Sequence, residues 1–134
     1  MRLGLIACSK LKAASGRPSS LLYQGALFKK SMVLAKRTCD QIAILSAKYG
    51  LLDLNQIIEP YDETLSRMPK KAREDWARKV TYQLDEQYPT AHLIYYAGSD
   101  YYQGLPKGKY PFGNRTLGQR LQWLNQQIEG KGFL

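Results

Sequence analysis

Two cysteines and one histidine are all that these 134 residues offer a soft metal, and no apolar run approaches the roughly 20 residues a bilayer-crossing helix needs. Cys8 and Cys39 lack the close spacing of a metal motif. With His92 the single imidazole, zinc-deaminase and metalloprotease chemistry is excluded, and no metal or other cofactor is expected. The apolar stretch in MRLGLIACSK is too short for a signal peptide and carries a lysine where a cleavage region would sit. Two free thiols and no span or leader predict a cytoplasmic protein without a membrane partner. Also absent are the GxxxxGK[ST] phosphate loop, the GxGxxG fingerprint, the GxSxG elbow and the HExxH pair. The usual nucleotide-hydrolase, dinucleotide and serine-esterase readings fall with them. Acidic residues are missing from positions 1–39, which hold eight Lys or Arg.

That last absence shapes the charge. The chain carries a formal +9, concentrated at its two ends, while residues 40–100 hold ten acids against seven bases. Charge so polarised along a chain predicts a basic face and a phosphate-rich partner, DNA or a nucleotide. Ten tyrosines add flat apolar surfaces with polar tips, which suit binding sites as well as half-buried packing positions.

The length fits one α/β domain over 1–134. Three short apolar runs, LGLIA (3–7), IAIL (42–45) and HLIYY (92–96), read as buried strands. Between and after them, 3.6-residue periodicity predicts helices over 24–37, 70–87 and a last one with Leu117, Leu121, Leu124 and Ile128 inward. A short helix is expected near 100–104, and Asn114 or Thr116 as the cap of the last helix. Residues 51–68 read as irregular, with Pro60 barring a helix across EPYD. Alternating strands and helices imply a small parallel or mixed sheet with helices packed on it. On the first long helix, Lys29, Lys30, Lys36 and Arg37 are expected to form one exposed stripe.

Ligands of such sheets gather beyond the carboxyl ends of the strands. Here the ends are Cys8-Ser9-Lys10, Ser46-Ala47-Lys48-Tyr49 and Ala97-Gly98-Ser99-Asp100, all small and polar. Ser9 with neighbouring backbone N–H groups, and Lys10 beside it, suit an anion, or else form a turn with a solvated lysine. Lys48-Tyr49-Gly50 joins a cation, a flat ring and a flexible backbone, fit to stack a base, or else marks a strand exit with Gly50 at positive φ. Glu59 and Asp62 flank Pro60-Tyr61 on a rigid turn, as base and electrostatic stabiliser, unless Asp62 instead caps a short helix.

The segments LIACSK, LYQGALFKK, ILSAKYGLL, IEPYDETL, YAG and LGQRLQWL resemble a bacterial and phage family of small proteins of unknown function. The ILSAKYGLL-to-EPYD block is also similar, more distantly, to the peroxide-stress YaaA proteins, which implies an α/β domain associated with DNA. A looser similarity reaches the carboxy-terminal parts of archaeosine synthases and uracil-DNA glycosylase-like folds. The chain lacks the GQDPYH-type water-activating loop of the glycosylases. Three functions are therefore expected. In the leading one, a nucleic-acid-directed N-glycosidase (a hydrolase), Glu59 and then Asp62 act on the sugar. Tyr49 or Tyr61 stacks the base, and Ser9, Lys10, Ser46 and Lys48 line the substrate and phosphate site. The others are a non-catalytic DNA-binding module using the stripe, and an enzyme or binder for a free nucleotide or nucleoside.

Overall fold

A computed structural model describes residues 1–8 and 16–130, so Ser9 and Lys10 lie outside the described residues. The first strand, β1 (Arg2–Ala7), sits at the centre of the sheet. Its run is continuously apolar because both faces are covered: Leu3 and Leu5 turn to one side, Ile6 to the other. After a two-residue strand β2 (Arg17–Pro18) and a single helical turn α1 (Ser19–Leu22), the first long helix α2 (Ala26–Thr38) leads to β3 (Gln41–Ser46). Then follow β4 (Gly50–Leu52), β5 (Ile57–Ile58), a 3-10 turn at Leu65–Arg67, α3 (Lys70–Gln87) and β6 (His92–Tyr96). One turn, α4 (Ser99–Tyr102), and a final helix, α5 (Leu117–Ile128), complete the fold.

The main sheet has the order β4-β3-β1-β6, with β3 and β6 parallel to β1 and β4 antiparallel to β3. It is therefore mixed. Strand β4 falls inside the segment expected to be irregular: three residues are too few to show a period, and a tight reversal lays Gly50 opposite Ser46. Gly50 makes that reversal with φ +79°, a conformation glycine enters without strain. The N–H of Leu51, pointing away from β3, donates to Gln83 Oε1 of α3 at 2.9 Å. At the opposite edge Lys109 pairs with β6: its N–H donates to Leu93 O and its carbonyl accepts from Tyr95 N, both at 2.8 Å. Strand β2 pairs antiparallel with β5.

Helices cover both faces. On one, Phe28, Met32, Leu34 and Ala35 of α2 and Leu124 of α5 pack over Ile6, Ile44, Ile94 and Tyr96. On the other, Trp76, Val80 and Leu84 of α3, four residues apart, pack over Leu3, Leu5, Ala43, Leu45, Leu93 and Tyr95. Ala72, in the same periodic row, is exposed, because the first turn of α3 runs beyond the sheet. Helix α5 starts with a capping box in which Thr116 and Gln119 bond each other's backbone N–H. Among the described residues no helix is long and apolar enough to cross a membrane.

The chain leaves β1 for α2 on one face, and leaves β6 for α4, whose Tyr101 and Tyr102 pack with α3 on the other.

Candidate functional site

Ser46 ends β3 and is fully buried. Its Oγ accepts the backbone N–H of Tyr49 at 3.0 Å and of Lys48 at 3.3 Å, which fixes the turn into β4. The same oxygen lies 2.7 Å from Tyr61 OH, which lies 2.7 Å from Tyr23 OH. A hydroxyl has one proton and two lone pairs. With both lone pairs of Ser46 engaged, its proton is left for Tyr61. Trp76 Nε1 donates to the Ser46 carbonyl at 2.8 Å, tying the cluster to α3.

A second branch stands at the end of β1, where Cys8 Sγ lies 3.1 Å from Tyr101 OH. The Tyr101 ring meets Trp76 edge-on at 5.9 Å. Burial first, then the charge a Cys8 thiolate would bring, holds the Tyr61 and Tyr101 phenols well above the ordinary tyrosine range. Burial pushes Tyr23 up to about 12. At neutral pH these phenols are neutral hydrogen-bonding groups and fixed ring faces.

The rim is charged. Lys48 is exposed, with Nζ 5.3 Å from the centre of the Tyr49 ring, and Tyr49 meets Tyr61 edge-on at 5.5 Å. Of the residues expected at the site, Ser46, Lys48, Tyr49 and Tyr61 are thus brought together. Glu59 and Asp62 are exposed, and among the described residues neither carboxylate is hydrogen-bonded into the cluster. The Glu59 carboxylate instead lies against Gly16, where a β-carbon would collide with it. Asp62 caps no helix: the 3-10 turn has Thr64 at its N-cap position.

Of the four cations expected in one exposed stripe on α2, Lys29, Lys36 and Arg37 are exposed, while Lys30 is half-buried and donates to Asn125 Oδ1 of α5 at 2.5 Å. Arg37 donates to the Ile128 carbonyl at 2.9 Å, meeting the negative end of the α5 dipole. His92 is exposed at the start of β6, at the opposite end of that strand from the cluster. No group of three or more His, Cys, Asp or Glu suited to a metal ion occurs among the described residues.

Tyr23, Trp76 and Tyr101 were not singled out from the sequence. Ten tyrosines give no sign of which hydroxyls meet, and Trp76 reads purely as a core residue of α3. Residues 3–126 match the sequence model of a family of unknown function (DUF6884). No curated protein matches the chain.

Proposed function

We propose a nucleic-acid-directed role for this protein, starting from the fact that the chain belongs to that family of unknown function and takes no activity from it. The observation that carries the reading is the Lys48–Tyr49 pair at the rim of the buried hydroxyl cluster. A cation beside a phenol face, anchored through Ser46, suits a phosphate next to a stacked base. The neutral phenols of Tyr61 and Tyr101, with Cys8, stand behind it and supply polar contacts for a base or sugar edge. The charge distribution agrees, since a chain at +9 is drawn to a polyanion. The resemblance of the SAKYGLL and EPYD segments to the YaaA proteins favours DNA as that polyanion.

In the catalytic form of this reading the protein is an N-glycosidase. Glu59 orients water and, with Asp62, stabilises an oxocarbenium-like sugar, while Ser9, Lys10 and Lys48 hold phosphate. Pro60 restricts the backbone at Glu59 to extended conformations and so limits where its carboxylate can reach.

Anisotropy titration with labelled single- and double-stranded oligonucleotides tests the binding. Affinity should fall steeply between about 50 and 200 mM salt, and Lys48→Gln and Tyr49→Ala should each weaken it. Affinity indifferent to salt removes nucleic acid from the assignment. Equal competition by mononucleotides favours the free-nucleotide binder. Abasic-site formation on oligonucleotides with modified bases tests catalysis. Glu59→Gln should lower the rate about a hundredfold with melting unchanged, as expected when a preorganised charge is lost. A wild-type protein that cleaves no substrate in the panel reduces the assignment to a binding module.

A further inference from the structure

Cys8 and Gly98 each stand two residues beyond the Ile6–Tyr96 rung of the sheet. Tyr101, whose hydroxyl lies 3.1 Å from Cys8 Sγ, donates its N–H to the Gly98 carbonyl at 3.0 Å, which brings Gly98 to the Cys8 branch of the cluster. Above Gly98 stands the guanidinium of Arg120, from the first turn of α5. A β-carbon on Gly98 would lie 3.1 and 3.2 Å from its two terminal nitrogens and 2.9 Å from Asp100 Oδ1. Gly98 has an ordinary extended backbone (φ −82°, ψ 168°).

Arg120 is held from three directions. Its Nε donates to the Arg115 carbonyl at 3.0 Å, its plane lies 5.6 Å from the centre of the buried Phe112 ring, and the side chain is half-buried. Neither Nη1 nor Nη2 has a hydrogen bond or ion pair among the described residues. Arg115 differs: its Nη1 donates to the carbonyls of Pro111 and Phe112 while it stacks on Trp123, so it serves the loop. A guanidinium with its stem fixed and its outer fork unused is preorganised for a planar oxyanion.

We infer that Arg120 is a phosphate-binding residue beside Gly98, gripping a phosphate oxygen pair through Nη1 and Nη2. This rests on the nucleic-acid reading for the rest of the ligand, but the phosphate contact is testable without it. The phosphate is either the monoester of a free nucleotide or a diester within a strand. Asp100, whose Oδ1 comes as near to the β-carbon position of Gly98 as the guanidinium does, opposes the anion and sets a limit on affinity.

The test titrates wild type, Arg120→Lys and Asp100→Asn by calorimetry with four probes. These are inorganic phosphate, a nucleoside 5′-monophosphate, the matching nucleoside and a dinucleotide without a terminal phosphate. Lysine keeps the charge but not the fork. We expect Arg120→Lys to weaken phosphate-bearing probes about tenfold and to leave nucleoside affinity unchanged. Asp100→Asn should strengthen the same probes. Loss for the monophosphate but not the dinucleotide identifies a monoester site, and the reverse identifies a diester. Equal affinity in wild type and Arg120→Lys overturns the proposal, as does wild type that binds no phosphate-bearing probe. Arg120-dependent monophosphate binding, with oligonucleotides no tighter and indifferent to salt, keeps the Arg120 site and sinks the nucleic-acid reading. Melting curves of each variant identify a loss caused by unfolding.

Discussion

The carboxyl edge of the sheet ends in two different ways. At β3 the polar groups are turned inward: Ser46 serves two backbone N–H groups, Tyr61 and, through its carbonyl, Trp76. At β6 the chain passes, two residues beyond the strand, a glycine under the Arg120 guanidinium, whose outer nitrogens have no hydrogen-bond or ion-pair partner among the described residues. Ser46 spends its hydrogen bonds on the fold. The outer fork of Arg120 does not. Buried donors and acceptors are costly when unpaired, so the saturated Ser46 is a structural hub.

Ser46→Ala strikes the saturated end hardest. Tyr61 loses its donor and two N–H groups lose their acceptor, at a cost of about 3 kcal/mol in urea denaturation at neutral pH. Arg120→Lys should change stability by less than about 0.5 kcal/mol, as at most surface positions. Equal losses at the two positions would break the comparison.

Alkaline melting sharpens it next. Tyr23, Tyr61 and Tyr101 have phenols raised by burial above the value of about 10 they take when unfolded. Above that pH the unfolded chain has released protons that the native chain still holds. The stability contributed by these phenols is therefore complete at neutral pH and is lost as pH rises from about 10 through about 12. Melting temperatures followed with phenolate absorbance should show that decline, and Tyr61→Phe should make it shallower. A decline already under way at neutral pH would mean the phenols are not held neutral.

The smallest effect separates the cations of α2. Replacing Lys30 and Arg37 with Gln cuts their ties to Asn125 and the Ile128 carbonyl and should lower stability by about 1 kcal/mol. Replacing Lys29 and Lys36 should leave melting unchanged and weaken oligonucleotide binding alone. If the tied pair is the one that controls binding, the division into structural and free cations is wrong.

What the sequence made legible follows from length and period. Helix α3 and strand β6 were expected at their observed limits, and α5 by its four apolar positions, because four-residue recurrence and a five-residue apolar run are local signals. Strand β4 was not, since three residues have no period and its pairing depends on Gln83 and β3. At the site, Ser46, Lys48 and Tyr49 were legible because they follow an apolar run directly. Tyr23 was not: it sits at the end of α1 and reaches Tyr61 only through the fold. Arg120 was equally hidden, one charge among twenty until α5 is docked over Gly98.

Three hydrogen bonds described for the fold have a bearing on self-association. Open sheets are exposed to strand addition at their edges, where unpaired rungs recruit another chain. On β4 the outward N–H of Leu51 is already taken by the Gln83 side chain. On β6 the outward rungs at Leu93 and Tyr95 are both taken by the backbone of Lys109. An incoming strand would have to displace α3 from one side or the loop through Lys109 from the other before it could form a second rung. The native sheet is stoppered at both ends against templating its own polymer.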